Sequence, residues 1–527
     1  MKKILLIAVL LGSFAIHAQD QYPKNTSVDM QHYTFNLYLS DFSDEIRGEA
    51  IVRASLTDDA DHLMLDLVKK GSDAYGMIVT EVLMGDQPAT YTYENDRIAI
   101  NLEPDHPAEA EFKIYYRGIP QKGLVISTTK YGTRSFFGDN WPNLARYWLP
   151  SVDHPYDKAS VTFKVVAPAQ YDVVATGKKV EESYLENGEK LTSYYEPAPV
   201  ATKVMTIGVT HFASRVLGYS GDTEISAWVY PENRLGGFHD FEVAVKVMNY
   251  FTANIGPYPW AKLANMQAKT QWGGLENAGT IAYSESAVTG NNEIEGLIAH
   301  EIAHQWFGNS ATESNWNHVW LSEGFATYFT VLYLEEMYGK ERRIKEMAVD
   351  REEVIEYAKG EPSIVVDTTI SDPMKVLSKN TYQKGGWVLH MLRRKLGDEV
   401  FWKGIQAYYN RFANSNVLTD DFRAVMEEAS GMDLQDFFYQ WLYVDGFPEL
   451  KTEWTYKNGR LILEIEQKQK QHVYSFPLDI GLVSGDGIEI RTVEITGKKQ
   501  SFEFELPAQP GEVRLDPEVW LLYAEGG

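Results

Sequence analysis

Cysteine is absent from all 527 residues. That excludes disulfides, thiolate metal sites, thiol nucleophiles and a lipidated N-terminal cysteine together. Any metal must therefore be held by His, Asp or Glu. Positive charge is also scarce: 49 Lys and Arg stand against 74 Asp and Glu, a formal net charge of -25. So acidic a surface repels phosphate backbones and anionic lipid, which argues against nucleic acid and an anionic membrane surface as partners. Long apolar runs are missing with one exception, Ile4 to Ile16, interrupted only by Gly12 and Ser13. Lys2 and Lys3 precede it, and His17, Ala18 and polar Gln19-Asp20 follow. The run falls short of the ~20 residues of a membrane span. It has the basic, apolar and small-residue order of a secretory signal, with cleavage expected after Ala18. A secreted or periplasmic protein, with no stable membrane insertion after cleavage, is the expectation.

What is present is globular. Hydrophobic residues make up 44% and charged residues 23%, so wholesale disorder is excluded. At ~150 residues per domain the length accommodates three or four domains. Residues 19–216 read mainly as strands. Tyr33, Phe35, Leu37 and Leu39 alternate with polar residues, and Asn187-Gly188 is a hairpin turn signal. Residues 217–446 read as mainly helical, with candidate helices at 239–255, 293–307, 323–338, 339–359, 381–395, 398–412, 419–429 and 434–444. The cluster Asp445-Gly446-Phe447-Pro448 breaks the pattern. Alternation then returns around Leu461, Leu463 and Ile465, enough for a small β-sandwich over 447–527. The fold class expected is multidomain α+β. There is no internal repeat.

The strongest chemical signal is His300-Glu301-Ile302-Ala303-His304. Residues four apart lie about 40° apart around a helix, one turn up. Both imidazoles can thus reach one Zn²⁺, with Glu301 beside them as general base. A hydrolytic zinc needs a third protein ligand and an open position. Position 310 is Ser and 307 is Phe, which excludes a third His supplied just downstream. Glu313, His318 and Glu323 remain as candidates. Glu323 opens a helical segment, whereas the other two lie in a stretch that reads as loop.

These residues have company. His300-Glu301-x-x-His304 followed by Glu323 resembles the zinc signature of the aminopeptidase N and leukotriene hydrolase family of gluzincin zinc metallopeptidases. Gly273-Gly274-Leu275-Glu276-Asn277 is similar to that family's exopeptidase motif, with Leu275 in place of the usual Met. Thr381-Tyr382-Gln383-Lys384-Gly385 is similar to its tyrosine motif. The resemblance extends to Gly256 through Trp260, Trp320 through Gly324 and Gln440 through Leu442. It implies an N-terminal β domain, a thermolysin-like catalytic domain and a C-terminal β-sandwich. It also implies one zinc per chain on His300, His304 and Glu323, with Glu301 as base and Tyr382 as donor to the developing oxyanion. Glu276 would bind the substrate's free α-ammonium, and Gly273-Gly274, with Asn277, would lie along an extended peptide. Partners would be peptides with a free N-terminus.

Two departures stand out. The family places an acidic or amide residue just before a Pro-x-x-Ala-Arg stretch, to share the amine. Here that stretch is Pro142 to Arg146, and Trp141 stands in the acidic position. Asp139 could substitute, or Trp141 could meet the ammonium through its ring. Ser322 replaces a common Asn beside the ligand Glu. The chain also has no counterpart of the long helical C-terminal domain of larger members, which implies a more open site. A catalytically silent peptide-binding homologue would show damaged zinc or base residues, and none is damaged. An endopeptidase would need no amine anchor, and Glu276 argues against it.

Overall fold

The computed structural model describes residues 20–360, 363–485 and 487–526. The signal segment expected at 1–18 lies outside the described residues. The N-terminal region is built on an eight-stranded sheet with Val28–Tyr38 near its middle. That strand pairs antiparallel with Ile46–Leu56 and parallel with Ala159–Pro168, Phe35 standing opposite Phe163. Period-two alternation sends Tyr33, Phe35 and Leu37 into the core. The expected hairpin joins Lys178–Tyr184 to Glu189–Val200, with Gly188 at φ 82°, the left-handed region that glycine enters without steric cost. A four-stranded and a three-stranded sheet complete this region and share its core. The strand Arg134–Asp139 belongs to the four-stranded sheet and runs directly into Asn140-Trp141-Pro142, delivering Trp141 to the neighbouring region.

A five-stranded sheet begins with Ala213–Ser220 and Thr223–Val229 and continues through Leu263–Ala268, Thr280–Ser284 and the short Gly274–Leu275. The division expected at 216/217 therefore falls inside the strand Ala213–Ser220. Helices pack beside this sheet. The helix expected at 239–255 is two, Arg234–Phe241 and Ala244–Asn254. Glu242 and Val245 bond back three residues rather than four, and the Asp240 carboxylate accepts from the backbone of Thr289, Gly290 and Asn292. That side-chain tie to a distant loop pins the first helix at an angle periodicity does not foresee. Helix Trp320–Tyr338 is buried on nearly every side, which marks it as the central helix of the layer. The helix expected from 381 instead opens as a π-turn, Asn380–Lys384, before Gly385–Leu396.

The glycine pair Gly324 and Gly385 explains this junction. A Cβ on Gly324 would stand 2.9 Å from the Gly385 backbone. Only glycine lets the central helix and the π-turn approach so closely. Beyond Phe447 two small sheets, of four and three strands, face each other. Their apolar residues Leu461, Leu463, Ile465, Leu478 and Ile480 join the same core as Trp441 and Leu442 of the preceding helix.

Candidate metal centre

His300 lies on helix Glu295–Ala303, and His304 follows at its C-cap. Glu323 sits in the first turn of Trp320–Tyr338. The two imidazole Nε2 atoms are 3.1 Å apart, and Glu323 Oε2 lies 3.5 Å from one and 3.3 Å from the other. Ligands at ~2.0–2.1 Å from a tetrahedral zinc are separated by roughly 3.3 Å, so these three atoms already form one face of such a tetrahedron. The donor set, two imidazoles and one carboxylate, suits zinc with one position open. His304 Nδ1 lies 3.0 Å from Ser322 Oγ and 3.3 Å from the Phe307 carbonyl. Those acceptors keep its proton on Nδ1 and turn the Nε2 lone pair toward the other two ligands. Ser322, next to Glu323 in sequence, thus ties one histidine of the triad to the helix that carries the carboxylate.

Charge is concentrated here. Burial opposes protonation of His304, but Glu323, Glu276 and Glu301 outweigh it and push the imidazole up to about 9. Burial would raise Glu323, yet His304 and His300 hold it below the usual carboxylate range. Burial pushes Glu301 up; His304 opposes this, while Glu276 and Glu323 add to it. A cluster of buried carboxylates and imidazoles on one point is costly unless a cation neutralises it.

The other candidate ligands are committed elsewhere. Glu313 is buried in an ion pair with Lys203. His318 Nδ1 is 2.8 Å from Thr419 Oγ1. Neither joins the triad.

The triad opens on a small cavity walled by Trp141, Trp272, Gly274, Leu275, Glu276, Glu301, Leu377 and Tyr382. Tyr382 stacks on His300, with ring centroids 6.1 Å apart and planes 9° from parallel. Burial, then Glu323, Glu276 and Glu301, pushes its phenol well above 10, so it stays a hydrogen-bond donor. Glu276 is buried, and its Oε1 has no protein hydrogen-bond partner. Gly274 packs against Glu301: a Cβ there would meet Oε1 at 2.3 Å. Trp141 stands edge-on between Trp272 and Trp316, at centroid distances of 6.0 and 5.7 Å.

Three of the expected residues are not among those that wall this cavity. Asp139 accepts from Thr270 Oγ1 at 3.0 Å and Trp272 Nε1 at 3.3 Å. It orients Trp272 and does not reach the cavity as a second anchor. Burial, with Glu276 nearby, pushes its carboxyl up. Asn277 is fully buried, its side-chain atoms without partners. Gly273 has no heavy atom within 4 Å of a notional Cβ. Sequence reasoning passed over Trp272, Thr270, Gln305, Asn309 and Lys203. Gln305 and Asn309 follow the zinc motif within five residues of His304, and that proximity was the available signal.

A His-His-Glu triad, with a carboxylate on the ligand helix and a phenol across the cavity, defines a gluzincin-type metallohydrolase site. Comparison with known proteins gives the family. The Peptidase family M1 domain matches residues 239–441, and the Peptidase M1 N-terminal domain matches 29–203. The chain belongs to peptidase family M1. It is 27% identical over 330 residues to the glutamyl aminopeptidase of Sus scrofa, covering 60% of this chain and 35% of that protein. It is 26% identical over 458 residues to the probable aminopeptidase 2 of Sulfurisphaera tokodaii, covering 82% and 56%. The matches thus span about a third to a half of those relatives. Among solved structures, the aminopeptidase A of Legionella pneumophila, crystallised with aspartic acid, matches with a TM-score of 0.83 at 16% identity, covering 97% of this chain and 61% of that one. Native yeast LTA4 hydrolase matches with a TM-score of 0.71 at 22% identity, covering 80% and 69%. Both share the fold.

Proposed function

We propose that this protein is a secreted or periplasmic zinc aminopeptidase that releases N-terminal residues from peptides with a free amine. One observation carries the reading: the buried Glu276 carboxylate faces the cavity beside the triad, and its Oε1 has no protein partner. An uncompensated buried carboxylate is costly, and a substrate ammonium would complete it. The names of the relatives support the same activity.

His300, His304 and Glu323 would hold one zinc per chain. A zinc bound there supplies Lewis acidity and lowers the pKa of a water toward ~7. Glu301 takes a proton from the attacking water and hands it to the leaving amine. Tyr382 donates to the carbonyl oxygen as negative charge develops on it. Glu276 holds the ammonium, and the Trp141 and Trp272 rings close the cavity beyond it. Held by its ammonium at Glu276, a peptide would place one residue between that anchor and the metal. Residues 1–18 carry the export expectation, and no helix among the described residues is long and apolar enough to cross a membrane.

The test is steady-state hydrolysis of an alanyl peptide and its N-acetyl form, with and without chelator. The expected result is cleavage of the free-amine peptide alone, abolished by chelation and restored by Zn²⁺. Glu301→Gln should lower kcat by about 10²- to 10⁴-fold. Equal cleavage of both peptides would sink the exopeptidase reading.

A further inference from the structure

Glu276 follows the two-residue strand Gly274–Leu275, so its backbone carbonyl has passed the end of the sheet ladder. Two side-chain amides meet that one oxygen. Gln305 Nε2 donates at 2.9 Å and Asn309 Nδ2 at 2.6 Å. Both residues are fully buried. Both also hang from a metal ligand: Gln305 is the residue after His304, and the Asn309 N–H donates to the His304 carbonyl at 3.1 Å. Gln305 Oε1 accepts from the Gly279 N–H at 2.9 Å, so one side chain grips the anchor loop at two points. The far side of Asn309 is fixed as well. Its carbonyl and that of Ser310 accept from Lys158 Nζ at 3.1 and 2.7 Å, and Lys158 comes from the N-terminal β region.

We propose that Gln305 and Asn309 are positioning residues, an amide clamp on the Glu276 carbonyl that fixes the distance between the substrate's ammonium site and the metal triad. The proposal rests on reading Glu276 as the amine anchor. Its logic is geometric. The carbonyl and the carboxylate belong to one residue, so holding the first from the ligand helix sets the second relative to the ligands. Both lone pairs of the oxygen are used, which removes the freedom a single bond would leave. With either donor gone, the carbonyl is half released and the carboxylate drifts. A displacement near 1 Å in a positioned group costs up to about 10²-fold. Only ligands that carry an ammonium feel that drift. A merely structural pair would instead weaken everything at the site alike.

The experiment is calorimetric titration of the zinc-loaded full chain with two small probes. Alanine hydroxamate carries a metal-binding group and an amine; acetohydroxamate carries the metal-binding group alone. The variants are Asn309→Ala and Gln305→Met, each removing one donor, so that either carries the test if the other does not fold. Asn309→Ser is a milder third. Zinc content is measured on every sample. In the variants the affinity for alanine hydroxamate should fall at least about tenfold, while acetohydroxamate stays within about twofold. kcat/KM for an alanyl peptide should fall at least about tenfold in step with the loss of alanine hydroxamate affinity. Parallel weakening of both probes, or an undiminished advantage for the amine, overturns the clamp. If the wild-type protein itself shows no preference for the amine probe, the aminopeptidase reading fails, and the clamp with it. The wild-type titration alone separates that outcome from a failure of the clamp.

Discussion

Gly274→Ala is the sharpest single test of Glu301 as the proposed base. A Cβ at this position would stand 2.3 Å from Glu301 Oε1, 2.5 Å from Cδ and 2.7 Å from Cγ. Ordinary contact between such atoms begins near ~3.4 Å, so the side chain must retreat by roughly 1 Å. Rotating the carboxylate does not relieve the overlap, because Cγ is caught as well as the oxygen. The cavity offers Glu301 room to move away, so fold and zinc content should survive. Catalysis should not. A general base contributes about 10²- to 10⁴-fold and a displacement of 1 Å costs about 10²-fold, so kcat should fall by about 10²- to 10³-fold. The assay is steady-state hydrolysis of an alanyl peptide, with zinc content and melting temperature measured on the same samples. Gly273→Ala is the internal control, since its Cβ meets open space; its kcat should stay within about threefold. A Gly274→Ala enzyme with kcat within about threefold of wild type would refute both the steric argument and Glu301 as the base.

Three further outcomes follow from the surroundings of the site. Ser322→Ala removes the oxygen 3.0 Å from His304 Nδ1, and zinc affinity, read by competition with a chelator, should drop about 10- to 100-fold. Lys203→Met or Glu313→Gln alone strands a buried charge or donor of the Lys203–Glu313 pair; each should cost about 3–5 kcal/mol in denaturant unfolding, and the double variant should recover most of it. Asp350 is pushed up to about 7 by burial and by Glu353 and Glu346, against the pull of Lys379. The folded protein therefore binds the extra proton, and the stability this confers is complete below pH 4 and lost as pH rises through 7. Asp350→Asn should melt about 3–6 °C above wild type at pH 8 and match it at pH 4, in thermal scans at both values.

The residues legible in the sequence are those whose relation to one another is local. Helical geometry alone puts His300 and His304 on one face with Glu301 beside them. The strands of the first region and most of the helices announce themselves by period. What the sequence left open was settled by partners far along the chain. Glu313 and Glu323 are both acids downstream of the motif, and only one faces the histidines, because Lys203, 110 residues away, claims the other. Asp139 lies beside Trp141 in sequence, yet Thr270, 131 residues on, and Trp272 take its carboxylate and turn it into a brace for the cavity wall. The break near Glu242 and the π-turn before Gly385 have the same origin, a tie from Asp240 to a distant loop and a glycine contact between helices. None of these pairings leaves a periodic trace. The ties of Lys203 and Asp139 lie close to the site because the site joins two regions. The N-terminal β region contributes Trp141, Asp139, Lys158 and Lys203, and the helical region contributes His300, His304, Glu323 and Glu301. Chemistry that depends on a metal alone needs only the second of these. The proposed selection of a substrate by its amine would need both, since Lys158 ends on the segment that carries Asn309 and Trp141 closes the cavity beyond Glu276. It follows that substitutions at the junction of the two regions should narrow the preference for a free-amine over an N-acetylated peptide before they change whether a peptide bond is broken.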